Sequence, residues 1–327
     1  MPVADTLAIP SGVEEGRRRG RTLLGGIARF ASRKPLGALG AFIIIVMLVC
    51  ATFADRRVVT FFQSDAPLLA PYYYDDQNIT SAGRLQAPSL RHPFGTDRLG
   101  RDQLSQIIYG ARVSVVIGLS AVVTAAIVAT LIGVLSAYIG GIFDLVIQRF
   151  VDAWISFPAI IILITGVQVA KGWVGGGATA QTFAIILVLA ILLSAGSSRV
   201  IRGTAISVKT NQYVEAARVV GASDIRIVAS YILPNVMPVI VVLATVQLGV
   251  AILAEATISF LGFGVPPPFP SWGRMLSADG LLFMRADPWL AFWPGMAIFL
   301  AVYAFNMLGD ALRDVLDPRL RGAGVRR

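Results

Sequence analysis

NQYVEAARVVGASDIRIVASYILP, residues 211–234, is the one long polar-leaning insert between strongly apolar segments in the second half of this 327-residue chain. Its residues spell two short helices and a corner. Asn211 stands where an N-cap belongs, and Val214, Ala217 and Val220 follow at helical spacing. Gly221 is the natural left-handed stop, since a residue without Cβ enters φ > 0 without steric cost. Ser223 or Asp224 then opens a second helix bearing Ile225, Val228, Tyr231 and Ile232. Leu233 and Pro234 fall where that helix meets the next apolar run. On a membrane surface a helix–corner–helix makes a docking knob; the plainer reading is an amphipathic hairpin that only joins two spans.

Composition supplies the membrane. Apolar residues make up 56% of the chain and charged residues only 14%, with a mean hydropathy of +0.72, so spans rather than a soluble core are the structural unit. A net charge of +9 would suggest nucleic acid in a soluble protein; here the excess of Lys and Arg on the cytoplasmic side of a membrane protein accounts for it, and no nucleic-acid partner is expected. The single cysteine, Cys50, lies in an apolar run, which rules out a disulfide or thiolate metal site within the chain. A single histidine, His92, rules out multi-histidine metal motifs, and no metal is expected.

Outward from the loop, the apolar runs predict an all-α integral membrane protein of six transmembrane helices with both termini cytoplasmic. Residues 1–35 read as a basic tail, with Arg17, Arg18, Arg19, Arg21, Arg29, Arg33 and Lys34, and residues 36–54 as the first span. Residues 55–112 form an extracytoplasmic loop ending in an amphipathic approach helix that Asp102 opens, with Leu104, Ile107, Ile108 and Ala111 on one face. Residues 113–311 hold the other five spans: 113–139, a third with its apolar run at 158–167, a fourth around 183–195, then 236–261 and 289–309. Arg149 and Asp152 stand one turn apart near the entry of the third and are expected to pair. Trp289 and Trp293 suit an outer aromatic belt, and a short helix is expected from Ser271 towards Phe283. Residues 312–327 form a second basic tail.

Catalytic devices are not evident. The sequence has no G-x-x-x-x-G-K-[ST] phosphate loop, no H-E-x-x-H and no G-x-S-x-G, so neither ATP binding by that loop nor catalysis is expected of this chain. Glu255 is the one acid well inside a span, where such groups are costly and often functional. It either lines a solute path or is satisfied structurally by neighbouring polar side chains. No ladder of proton-relay groups accompanies it, which argues against a self-powered secondary transporter; a stand-alone channel is the remaining transport alternative.

Four separated motifs carry a family resemblance. Glu215, Ala216 and Ala217, then Gly221, then Leu233 and Pro234 resemble the EAA loop of ABC importer permeases, departing at Tyr231, where isoleucine is common. Gly95, Thr96, Asp97, Arg98, Leu99, Gly100, Arg101 and Asp102 resemble a string of the dipeptide/oligopeptide/nickel branch. The Ser259–Gly262 tetrad with the prolines leading to Ser271, Trp272 and Gly273, and the Gly309-Asp310 to Asp317-Pro318-Arg319 stretch, are similar to that branch's C-type subunit. The resemblance implies a type I ABC importer permease fold. It also implies a homologous second permease, two ABC ATPase subunits that carry ATP and magnesium, an extracytoplasmic substrate-binding protein and a prokaryotic inner membrane. Residues 211–234, Asp224 included, would be the ATPase-coupling loop, and residues 95–102 a structural motif. The implied cargo is di- or oligopeptides, with nickel chelates, opines or sugars as alternatives, and no cofactor bound by the permease itself.

Overall fold

The computed structural model describes residues 30–32, 34–54, 68–77, 83–174 and 177–316. Most of the N-terminal basic tail, parts of the outer loop, Gly175 and Gly176, and the C-terminal stretch with Asp317, Pro318 and Arg319 lie outside the described residues. Among those described there is no strand, only helices and connections.

Helix α1 runs Pro35–Phe53 and α2 Gln103–Ile139. After a turn at Gly140 and Gly141, both at positive φ, come α3 (Gly141–Ser156) and α4 (Ala159–Val174). Next are α5 (Ala178–Lys209), α6 (Gln212–Val219) and α7 (Asp224–Ile227). A π turn, Val228–Ile232, leads into α8 (Leu233–Phe260). Two short pieces, α9 (Trp272–Met275) and α10 (Leu281–Phe283), precede α11 (Trp289–Leu316).

The expected six spans correspond to five helices and one bent pair. Among the described residues, five helices are long and apolar enough to cross a membrane, and α3 with α4 makes a sixth only as one span bent by 97°. The break is local chemistry: Pro158 pushes Phe157 into an extended conformation, φ −80° and ψ 139°, which ends α3. The expected Arg149–Asp152 pair forms at 3.3 Å, and Asp152 also takes Arg199 of α5, while Arg202 grips Asp144 through Nε at 2.6 Å. So α3 hangs on α5 by ion pairs, whereas α4 packs on it by burial of Leu163 and Val167 with Ile185, Val188 and Leu189.

One expectation needs correction. The approach helix is no separate element: Asp102 caps it as foreseen, but it continues without interruption as α2, 37 residues long, so the helical core starts at Gln103 rather than at 113. Nothing at residues 111–113 breaks the helix, and Tyr109, Gly110 and Ala111 are buried against protein. Pro234 lies where the second corner helix meets the next apolar run, as the sequence suggested. In an α-helix its ring would collide with the carbonyl four residues back, and the wider π turn removes that conflict, so residues 224–260 run on as one span. Trp293 stacks on Phe94 at 3.9 Å, and Trp289 lies against Gly95.

Small residues allow the helices to meet. A Cβ on Gly133 of α2 would lie 2.6 Å from the Ser198 carbonyl of α5, so these two backbones touch only because the position is glycine.

Candidate functional site

The corner at residues 211–234 is built from a buried side and a bare side. Val214, Ile227 and Ile232 are buried with Ile201, Val208 and Val236 from α5 and α8. Asn211 occupies the N-cap position, yet its carbonyl does the capping, accepting from Val214 at 2.9 Å, while its amide donates to the Tyr213 hydroxyl. At the other end the Gly221 N–H donates to Arg218 and the Ala222 N–H to Ala217, each at 3.0 Å, with Gly221 at φ +86°. That pair of bonds is a Schellman stop, which requires the left-handed residue at this place.

The bare side carries Val219 and Val220, each 87% exposed, and Ile225, 82% exposed. Glu215, Ala216 and Pro234 are exposed too, and Ala217 and Leu233 half-buried. A groove of about 400 Å³ runs between Tyr213, Ala216, Ala217, Val220, Gly221 and Tyr231. The Asp224 carboxylate accepts from the Tyr138 hydroxyl at the end of α2, and Lys209, the last residue of α5, donates to the Ala137 and Tyr138 carbonyls at 3.2 and 2.6 Å. Sequence reading missed Tyr138 and Lys209, because nothing local marks a tyrosine at the end of an apolar helix as a partner for residue 224.

The motif at residues 95–102 forms a tight knot. Thr96 donates to the Gly83 carbonyl at 2.8 Å and accepts from the Gln86 N–H at 2.9 Å. Buried Asp97 accepts from the N–H groups of Leu99 and Arg101, from Arg101 Nε at 2.7 Å and from Gln106 at 2.9 Å. Asp102 takes the Ser105 N–H and hydroxyl, both at 2.7 Å, and sits 2.9 Å from His92 Nδ1. Gly95 and Gly100 hold positive φ. Arg98 reaches Asp279 at 2.9 Å, tying the knot to the stretch after α9. Burial pushes the Asp279 carboxyl above its ordinary value, and the nearby Asp97 adds to this against the pull of Arg98. Arg274 donates to the carbonyls of Val265, Pro268 and Phe269, and burial holds its guanidinium down to about 10, so it remains a cation at neutral pH.

Glu255 is fully buried, and three serines converge on it: Ser259 at 2.6 Å and Ser271 at 2.9 Å on Oε1, Ser114 at 3.2 Å on Oε2. These serines belong to α8, to the loop before α9 and to α2. A Cβ on Gly273 would fall 2.0 Å from the Ala256 carbonyl, so α9 lies directly on the α8 backbone one residue from Glu255. Trp272 fits over Gly110 and donates to the Ile107 carbonyl at 3.0 Å. Among the described residues no three His, Cys, Asp or Glu side chains gather as a metal site.

Comparison with known proteins places these features in one setting. Residues 129–322 match the model of the binding-protein-dependent transport system inner membrane component family. Residues 24–88 match the N-terminal TM domain of oligopeptide transport permease C. The chain is 41% identical over 261 residues to a putative peptide transport system permease protein of Brucella suis, 79% of this chain and 85% of that one. It is 37% identical over 289 residues to a dipeptide transport system permease protein of Alkalihalophilus pseudofirmus, 88% of each chain. With a glutathione transport system permease protein of Escherichia coli it shares 38% over 290 residues, 89% of this chain and 88% of that one.

Proposed function

The chain belongs to the family of binding-protein-dependent transport system inner membrane components, and on that footing we propose that it is the C-type permease subunit of an ATP-driven importer of di- or oligopeptides. It forms the solute path in the inner membrane together with a homologous second permease. An extracytoplasmic binding protein delivers the peptide, and two separate ABC ATPase subunits bind ATP and magnesium. This chain contributes no catalytic group.

The observation that carries the coupling role is the bare tip of the corner. Val219, Val220 and Ile225 stand in water unless a partner covers them, and apolar side chains gathered on a fixed scaffold are what a groove on another protein receives. Closure of the ATPases would push this tip. The push reaches α8 directly, since residues 224–260 form one continuous helix, and reaches α5 through the short link at Thr210 and Asn211. Tilting these spans exposes the path to the outside, and hydrolysis resets it. Proteoliposomes holding the whole complex are expected to accumulate a labelled dipeptide only with ATP inside and binding protein outside. Accumulation without ATP would make the protein a channel or secondary transporter, and uptake of a nickel chelate, opine or sugar in place of peptide would replace the cargo.

The orientation follows from charge. Arg199, Arg202, Lys209, Arg218 and Arg226 cluster around the corner, whereas the short loops at the other end contain only Lys171, Arg274 and Arg285. In a Cys50→Ala background, Thr80→Cys is expected to react with an impermeant thiol reagent on intact cells, and Ser223→Cys only after the inner membrane is opened. The reverse pattern would place the corner outside and remove the coupling role.

A further inference from the structure

The corner is joined by the chain itself to α5 and α8, but α2 has no such link: some seventy residues separate Tyr138 from the loop, with 71 between Lys209 and the Tyr138 carbonyl it caps. From the geometry at that junction we infer that Tyr138, Lys209 and Asp224 form a clasp that makes α2 move with the corner, and that Tyr138 is a positioning residue for coupling. The inference rests on the coupling role proposed above and names the contact through which one further span receives the motion.

Three contacts meet there. The Tyr138 hydroxyl donates to Asp224, the first residue of α7, with the Arg218 guanidinium of α6 beside the same oxygen, so both arms of the corner reach one phenol. Lys209 donates to the carbonyls of Ala137 and Tyr138, which the end of α2 leaves without intrahelical partners, and its ammonium places a cation where a helix C-terminus favours one. That ammonium also lies 5.5 Å from the centre of the Tyr138 ring. Tyr138 is thus held on its ring by α5 and at its hydroxyl by α7. Apolar contacts of Ala222, Val228 and Tyr231 with the same cluster let helices slide, whereas directed bonds at a helix end fix an angle. A push on the tip that moved α5 and α8 alone would shear them past α2, whose backbone touches α5 at Gly133.

Tyr138→Phe removes the hydroxyl and keeps the ring under Lys209, so membrane level and association with the ATPases are expected to match wild type. The assay is peptide imported per ATP hydrolysed, in proteoliposomes of the full complex. This ratio is expected to fall about threefold to tenfold, the range spanned by one lost side-chain hydrogen bond. Asp224→Ala should lower it to a similar extent, and the double variant should be no worse than either single one, since both remove the same bond. A merely structural tyrosine would lower protein level and leave the ratio alone. A wild-type ratio in both single variants, with Gly221→Val uncoupled, overturns the clasp and leaves the coupling loop standing. A wild-type ratio in Gly221→Val as well overturns the loop and the clasp with it.

Discussion

Replacing Gly221 with valine is expected to leave the protein in the membrane, paired with its second permease, and to abolish coupled ATP hydrolysis. At φ +86° a β-branched residue is strained by about 1–3 kcal/mol, and it escapes by abandoning the left-handed conformation. That dissolves the Schellman bonds from Gly221 and Ala222 and changes the angle between α6 and α7. Space is not the obstacle, because a Cβ at this position meets nothing within 4 Å. The effect is therefore one of backbone conformation, and Gly221→Asn, which tolerates positive φ, should retain most of the coupling. Each 1.4 kcal/mol lost from seating the tip in its groove weakens ATPase association about tenfold. Bound ATPase in the purified complex and hydrolysis stimulated by the binding protein are the measurements. Wild-type values for Gly221→Val would reduce residues 211–234 to a connector. Glu215→Arg, which inverts a charge on the exposed face of α6, should act in the same direction.

At Glu255 the largest loss is expected in assembly, not in turnover. We propose that this acid pins the outer loop to the span bundle: Ser114, Ser259 and Ser271 each donate to it, from α2, α8 and the stretch that leads into α9. Glu255→Leu leaves three buried hydroxyls without their acceptor, at about 1–3 kcal/mol each. Assembled protein in the membrane should fall several-fold. Glu255→Gln is the informative partner. Its carbonyl oxygen can take the Oε1 place and keep Ser259 and Ser271, while its amide donates to the Ser114 hydroxyl at the Oε2 place, so all three contacts survive with one reversed. Uptake normalised to the amount of complex should then stay near wild type. Full assembly with collapsed uptake in Glu255→Gln would instead make the residue part of the solute path.

The two sites differ in how far a reader of the sequence could have reached them. The corner is governed by neighbours within four or five positions. Gly221 stops α6, and Val214 and Ile232 are buried as their stripes suggested, so its outline was legible from residue order. Val220 and Ile225 on the same stripes are instead 87% and 82% exposed, and the buried Ile227 carried no local signal. Asp102 as a cap was legible in the same way, since it bonds to the N–H of Ser105 three residues on. One local signal still misled: the polar residues of 103–112 suggested a separate helix where the chain continues as α2.

Residue order by itself determined the class of protein, the helical runs, the corner and the family motifs, because these depend on composition and on contacts a few residues long. Which faces meet was decided only by the tertiary structure. A span that is apolar all round has no periodicity to mark its buried side, so nothing in the order of residues joins Ser114 to Glu255, 141 positions apart, or Tyr138 to Asp224, 86 apart. The 97° bend between α3 and α4 belongs in the same class. Pro158 permits it, but Arg199 and Arg202, reaching Asp152 and Asp144 from α5, hold it there. Glu255 likewise reads as an anomalous charge along the chain and becomes a three-serine junction only when α2, α8 and the loop before α9 are brought around it, since in an apolar interior a polar group is costly unless hydrogen-bond partners converge on it.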